Sequence, residues 1–326
     1  MDLLFLGTSA ATPTRTRNVS ALALLEPRGK GWFLLDCGEA TQHRVMQAGL
    51  SLHELQAIFI THVHGDHCYG LPGLLASAGL QGRTRPLTLV APAGVEAWMD
   101  ATQQMSQLSL PYPLQWLPTE SLGCWSSEHW LVDVTELSHR VRSFAYGFTE
   151  ARPESRLDQA RLLADGIARG PVWGQLKKGI DAAYEGRTLR SRDYLIFPHP
   201  PRRVVVAGDN DRPELLAAAC RNAQVLVHEA TFSLERPVET RFGHSAAGQV
   251  AAFADSIGLP NLVLTHFSSR FQDNPERSPG IADLRAEALQ HYRGGLWLAE
   301  DLARFRLDRT GSLCRVLPAP ARDPRP

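Results

Sequence analysis

Thr61-His62-Val63-His64-Gly65-Asp66-His67 follows directly on the apolar run Ala57–Ile60, and its reading decides the fold. Three imidazoles and a carboxylate packed between positions 62 and 67 are hard to account for as core packing. A solitary histidine is usually a surface or satisfied core residue, and His43, His53, His129, His199 and His291 are read that way. Nitrogen and oxygen donors crowded just past a strand suit a borderline divalent cation instead, because neutral imidazole and carboxylate bind zinc without thiolate. In an extended turn His62 and His64 point the same way, while Gly65 permits a reversal that sends Asp66 and His67 toward a second position. One loop can therefore serve two ions.

Two ions need more donors than this loop supplies, and the rest of the chain offers them at strand ends. His139 follows Val132–Leu137, Asp209 follows Val204–Ala207 and Gly208, and His266 follows Leu262–Leu264 and Thr265. Assigning His62, His64 and His139 to one ion, Asp66, His67 and His266 to the other, and Asp209 as a bridge leaves room for a shared hydroxide. The expectation is two zinc ions per chain, with other divalent metals compatible with the same donors.

The surrounding pattern is layered α/β. Short apolar runs at Leu3–Leu6, Trp32–Leu35, Ala57–Ile60, Leu87–Val90, Val204–Ala207, Val225–Val227 and Leu262–Leu264 read as buried strands. Helical spacing falls between them at Leu71–Leu80, Gly94–Met105, Pro213–Arg221 and Ser245–Ile257, the last with Ser245 as N-cap. Strands interleaved with helices indicate packed layers around one core, which 326 residues at 44% hydrophobic content can fill. From 150 to 203 the pattern gives way to charged, Gly- and Pro-punctuated sequence, read as an inserted excursion. The tail from 309 to 326 is rich in Pro and Arg and reads as disordered.

Composition removes several classes of function. The apolar runs are strand-sized, far short of the roughly 18 residues of a membrane span, and the opening Leu3-Leu4-Phe5-Leu6-Gly7 carries no signal-peptide pattern. A cytoplasmic protein with no membrane partner is expected. Five scattered cysteines without a C-x-x-C pair exclude a disulfide scaffold and a thiolate-bound zinc, and are read as small buried residues. With 34 basic and 34 acidic residues the chain is no general polyanion binder, so any such site is local. Local excesses occur at Arg15 and Arg17, and over 169–192, where Arg169, Lys177, Lys178, Arg187, Arg190 and Arg192 face only Asp181 and Glu185.

The H-x-H-x-D-H loop, Gly208-Asp209 and the spaced downstream histidines resemble the metallo-β-lactamase superfamily. Within it, further motifs resemble the ribonuclease Z family: Gly7-Thr8-Ser9-Ala10 followed by Pro13-x-Arg15-x-Arg17-Asn18; Asp36-Cys37-Gly38-Glu39-x-Thr41-Gln42; His228-Glu229-Ala230-Thr231; Gly243-His244-Ser245; and Thr265-His266-Phe267-Ser268-Ser269-Arg270. Gly170-Pro171-x-x-Gly174-x-Leu176-Lys177 is similar to that family's tRNA-binding arm. The likeness spans residues 2 to 308. Asn210, Ala246 and Phe271 depart from it, standing where Thr, Ser or Thr, and Tyr are common.

The resemblance implies an αββα sandwich over 1–308 with an inserted flexible arm at 150–203, a homodimer, and hydrolysis of precursor tRNA at its 3′ trailer. It implies a catalytic set of Asp66, His244 and Glu229: Asp66 beside the attacking water, His244 protonating the leaving oxygen, Glu229 holding that imidazole. His228 is then a packing neighbour. Substrate contacts are implied for Arg15, Arg17 and Asn18, for Ser268 and Arg270, and for Gly170, Pro171, Lys177 and Lys178 on the arm. Two alternatives share the fold. A small-molecule metallohydrolase would have no use for the Pro13–Asn18 loop or the arm, and a non-catalytic RNA-binding subunit would typically lack ligands that are all present here.

Overall fold

The computed structural model describes residues 1–27, 29–274 and 277–317. The first third contains β1 (Asp2–Gly7), β2 (Ala21–Leu25), β3 (Trp32–Leu35), α1 (Thr41–Gln47), β4 (Leu55–Phe59), α2 (Gly65–Cys68), α3 (Leu71–Leu80), β5 (Leu87–Ala91), α4 (Val95–Ser106) and β6 (Leu114–Pro118). Next come β7 (Cys124–Ser126), β8 (Trp130–Leu137) and β9 (Ser143–Glu150). The excursion holds β10 (Arg156–Leu157), α5 (Gln159–Ala164), α6 (Pro171–Lys177), β11 (Ala182–Tyr184), β12 (Arg187–Leu189) and β13 (Leu195–Ile196). The chain then forms β14 (Arg203–Ala207), β15 (Val225–Glu229), α7 (Ala247–Ser256), β16 (Asn261–Thr265), α8 (Ile281–Leu289), β17 (Gly295–Leu298), β18 (Arg304–Leu307) and β19 (Leu313–Val316).

Two sheets result, ordered β19-β18-β1-β2-β3-β4-β5-β6 and β17-β16-β15-β14-β9-β8-β7. Side chains alternate across a strand, so an apolar run buries both faces. In β1, Leu3 and Phe5 enter the layer between the sheets, while Leu4 and Leu6 turn outward beneath helices. Phe33, Phe59, Tyr146 and Phe148 fill the central layer, with Phe59 and Phe148 edge to face at 5.2 Å. Val45, Leu74, Leu75 and Met99 of α1, α3 and α4 cover one sheet; Val250, Ala254, Leu284 and Ala288 of α7 and α8 cover the other. The architecture is the expected αββα sandwich.

Strand direction decides where chemistry collects. The runs β3-β4-β5-β6 and β14-β15-β16-β17 are parallel, so their carboxyl ends open toward one pole, where ligand sites of such sheets form. β9 runs antiparallel to β14, which brings the β8–β9 turn to the same pole. A hydrogen bond from Phe144 N–H to Thr61 C=O (3.1 Å) joins the two sheets there.

The excursion leaves from the opposite end of that ladder, between Glu150 and Arg203, and so occupies 151–202. Arg202 closes its base on Glu150, Nη2 to Oε1 at 2.8 Å. It is a folded module with a core of Leu162, Ile167, Trp173, Leu176, Ala182, Leu189 and Tyr194. Its elements are two to seven residues long, too short for sequence periodicity to show.

Other expectations need correction. Residues 309–317 are no disordered tail, because β19 pairs with β18 from Leu307↔Leu313 to Arg304↔Val316; positions 318–326 lie outside the described residues. Pro213–Arg221 yields only a 3-10 turn over Pro213–Leu216. Ser245 does not cap α7: its hydroxyl donates to Asn210 C=O at 2.6 Å, and Ala246 occupies the cap without a side-chain oxygen. Cys37, Cys68 and Cys220 are buried as expected, whereas Cys124 and Cys314 are exposed.

Candidate metal centre and its flanking histidine

Loops at the carboxyl pole deliver each donor. β4 runs out into Thr61–His67, where His64 holds an extended backbone (φ −66°, ψ 148°) before α2 reverses the chain at Gly65. His139 follows β8, Asp209 follows β14 and His266 follows β16. Gly243 must lack a side chain, because at φ +82° a Cβ would sit 2.9 Å from His139 Nδ1. That clearance brings the Gly243–His244 turn against the His139 loop.

Hydrogen-bond accounting fixes the imidazole tautomers. Thr61 Oγ1 donates to Asp36 Oδ2 (2.9 Å), so it accepts from His62 Nδ1 (3.0 Å). His67 Nδ1 donates to the same carboxylate (2.7 Å), and His139 Nδ1 donates to Gly243 C=O (2.7 Å). Thr231 Oγ1 spends its proton on Glu229 Oε2 (2.7 Å), so it accepts from His266 Nδ1 (2.8 Å). Four Nε2 lone pairs therefore face inward, each set by a partner on the other ring nitrogen, as for metal-bound imidazole.

Those lone pairs meet other acceptors. His67 Nε2 lies 3.2 Å from His266 Nε2, and buried His62 Nε2, without a hydrogen-bond partner, faces Asp209 Oδ2 at 3.4 Å. Acceptors opposed at such distances in the interior repel one another unless a proton or a metal cation lies between them. His62, His64, His139 and Asp209 form one donor group and Asp66, His67 and His266 another. Asp209 Oδ2 faces the first (His139 Nε2 at 3.7 Å) and Oδ1 the second (His266 Nε2 at 3.4 Å, His67 Nε2 at 3.6 Å). Zinc–nitrogen bonds of about 2.0–2.1 Å place the corners of a tetrahedron about 3.3–3.4 Å apart, so the donor set fits divalent ions of that size.

The electrostatics agree. Burial, helped by the neighbouring His67, pushes His62 down to about 4, and burial also lowers His64 and His139, keeping these imidazoles neutral and able to ligate. Burial opposes ionisation of Asp66, yet His67 and His266 outweigh it and hold the carboxyl far below its ordinary range. On His67 burial is likewise overcome, by Asp66, Asp209 and Asp36, and its pKa rises. This side of the centre carries a field that demands positive charge.

His244 differs from the donors. It joins Asp209 and His266 in a third grouping, but its Nδ1 faces Glu229 Oε1 at 3.6 Å and Asp209 Oδ2 at 3.7 Å. Burial disfavours its charge; Asp209 and Glu229 overcome this and raise its pKa to about 9. Glu229 is itself fixed by N–H groups of Ser245 (2.6 Å) and Thr231 (2.9 Å). His244 thus borders an open basin of about 460 Å³, shared with His64, Asp66, His139, Asp209 and His266, in a form that can donate a proton.

The remaining expected site residues separate. Arg15 is exposed in the loop beyond Ala11, which lines the basin. Arg17 is buried, paired with Asp273, and donates from Nη2 to Phe271 C=O at 2.7 Å; it braces the loop and is not free for substrate. Asn18 is also occupied internally, its amide donating to Glu39 C=O (2.8 Å). Ser268 is buried and Arg270 exposed. Gly170, Pro171, Lys177 and Lys178 are exposed on α6 and its flanks, away from the basin. His43, His53, His129, His199 and His291 stay outside the donor groups.

Asp36 was given no role by sequence reasoning, although it ends β3 as Asp209 ends β14. Asn210 ties the pole together: Oδ1 accepts from the N–H groups of Ser138 and Arg212 (both 3.2 Å), and Nδ2 reaches His228 Nε2 (3.1 Å). Standing where Thr is common, Asn210 thus has both its amide oxygen and its amide nitrogen engaged.

Comparison with known proteins agrees with this geometry. A family model described as "Anti-Pycsar protein Apyc1" matches residues 1–101, under a third of the chain. The ribonuclease Z of Pseudomonas putida (strain KT2440) is 57% identical over 316 residues, covering 96% of this chain and 99% of that protein. The ribonuclease Z of Marinobacter nauticus is 51% identical, covering 97% and 99%. The crystal structure of human tRNase Z, short form, superposes with a TM-score of 0.64 at 26% identity, covering 94% of this chain and all of that one. The full-length identity together with the shared sandwich shows that the chain belongs to the ribonuclease Z family, metal-dependent nucleases built on the metallo-β-lactamase fold.

Proposed function

We propose that the chain uses two zinc ions to cut the 3′ trailer from precursor tRNA, leaving a tRNA 3′-hydroxyl and a 5′-phosphorylated trailer. The observation that carries this is Asp209, whose two oxygens face two separate donor trios while His244, outside both trios and held beside Glu229, lines the same basin. His62, His64 and His139 would hold one ion, Asp66, His67 and His266 the other. Two such ions would supply an acidified water and positive charge for the phosphate oxygens. Asp66, pinned by Ala11 N–H at 2.7 Å, orients the water's proton. His244 protonates the departing 3′ oxygen, and Glu229 keeps it charged. Water rather than the ribose 2′-hydroxyl attacks, which sets the product ends.

The arm supplies recognition in this reading. It is rooted at the pole opposite the centre, and five-residue β14 alone separates the two by about 15 Å. An arm so placed favours a homodimer in which one subunit's Lys177, Lys178 and Gly170-Pro171 turn present tRNA to its partner's site. Arg15 and Arg270, exposed and without a side-chain partner among the described residues, would meet the RNA near the cut. Such a substrate belongs to the cytoplasm, and no helix among the described residues is long and apolar enough to cross a membrane.

The test strips the protein with chelator and returns zinc in steps. Cleavage of precursor tRNA should appear with the second equivalent per chain; full activity at one equivalent would contradict the paired centre. Asp36→Ala, which frees the ring of His67, should weaken zinc binding by about 10–100-fold, read by competition with a chromogenic chelator.

A further inference from the structure

Three side chains at the rim of the basin are not used by the chemistry above. Tyr69 is 63% exposed and Phe242 57%, large exposures for rings beside a buried polar centre. Neither is loose. Tyr69 lies over the bare α-carbon of Gly65, where a Cβ would meet its ring at 2.2 Å, and leans on Trp98 with ring centroids 5.9 Å apart. Phe242 has φ +54°, a left-handed backbone costly for a bulky residue. Arg236 stands behind it, 6.0 Å from its ring and 4.5 Å from that of Phe232. The fold thus holds two aromatic faces at the mouth.

Arg140 completes the rim. Its side chain passes over Gly243, with Cγ 3.5 Å from where a Cβ would stand, and it lines the basin. Arg142, two residues on, pairs with Glu136 and Glu120, whereas no hydrogen bond or ion pair engages the Arg140 guanidinium among the described residues. Glu39, which also lines the basin, is exposed.

Resting on the phosphodiesterase reading of the same site, we propose that Phe242, Tyr69 and Arg140 form a nucleotide clamp. The two rings stack on the bases flanking the scissile phosphate, and the guanidinium binds a neighbouring backbone phosphate. Unpaired bases offer a face to any aromatic ring, and phosphates an anion to any free arginine. Phe242 lies two residues before His244, the donor to the leaving oxygen, so it takes the base that remains on the tRNA. Tyr69, packed on Gly65 beside Asp66, takes the first trailer base.

Precursor tRNAs bearing a single abasic nucleotide on either side of the cut test the assignment. For wild-type protein each missing base should lower kcat/KM by about 5- to 150-fold, the usual worth of one base–aromatic stack. Phe242→Ala should lose a similar factor on intact substrate and then show no further loss when the upstream base is removed, while the trailer-side abasic site still costs. Tyr69→Ala should show the mirror pattern. Arg140→Gln should flatten the log–log salt dependence by about 0.7, one single-strand phosphate contact. Zinc content and melting temperature confirm that each variant is folded. If each abasic site costs the variants the same factor as wild type, or if the salt slope of Arg140→Gln is unchanged, the clamp is overturned. A wild-type protein that cuts no precursor tRNA instead overturns the substrate reading, and the clamp with it.

Discussion

Replacing His244 by Ala is expected to cut turnover on precursor tRNA by about 10²–10⁴-fold, the usual contribution of a positioned general acid. Zinc content should not change, because the two donor trios and Asp209 are complete without it. The leaving group supplies a sharper criterion. A ribose 3′ oxygen departs as a strong base and needs the proton, whereas a p-nitrophenolate needs little help, so the loss should shrink on a nitrophenyl phosphodiester. The pH profile follows from the carboxylates that raise His244 to about 9: the acid form is present below that value and is lost as pH rises through it. Glu229→Gln removes one of those carboxylates, so the alkaline fall in kcat should move to lower pH. Coincident loss of metal and activity in His244→Ala would place this imidazole among the ligands.

Excising the arm should separate recognition from chemistry. Arg156 and Leu157 pair antiparallel with Ile196 and Leu195, so the two ends of the module lie side by side and a short Gly/Ser linker can close the gap left by removing 157–195. The Glu150–Arg202 tie stays, as do all seven proposed ligands. The truncated protein should keep its zinc and still hydrolyse a small chromogenic phosphodiester. Precursor tRNA, held by phosphate contacts far from the cut, should be processed hardly at all, with weaker binding and a flatter salt dependence. Wild-type efficiency on precursor tRNA would remove the arm from recognition.

Much of this site was legible because one rule generates it: polar residues that follow buried parallel strands gather at the carboxyl pole. His62, His64, Asp66, His67, Asp209 and His266 obey it, and so does His139, because β8, antiparallel to β9, runs in the direction of β14. Asp36 obeys it as well, and its contribution could have been read from its place after Trp32–Leu35. Other parts were hidden for physical reasons. Arg17 looks like an RNA contact until the fold brings Asp273, 256 residues away, against it. Tyr69, Phe242 and Arg140 carry no motif; their exposure and common rim exist only once three loops meet. β19 is four residues long, and its Arg315 turns out to pair with Glu300, so neither alternation nor hydrophobicity marked it. The arm was visible as a break in pattern, but its core of seven residues is assembled from pieces too short to show a period.

If two metal ions are held by His62, His64, Asp66, His67, His139, Asp209 and His266, with His244 as the acid, water should be directed at one phosphodiester on the 3′ side of tRNA. Incubating the purified zinc protein with a 3′-extended precursor tRNA and sequencing both products tests it most directly. The expected result is a single cut at the base of the trailer, a tRNA ending in 3′-hydroxyl and a trailer beginning with 5′-phosphate. A 2′,3′-cyclic phosphate on the tRNA with a 5′-hydroxyl trailer would mean that the ribose attacked instead, and an uncut precursor would mean that the substrate is not tRNA.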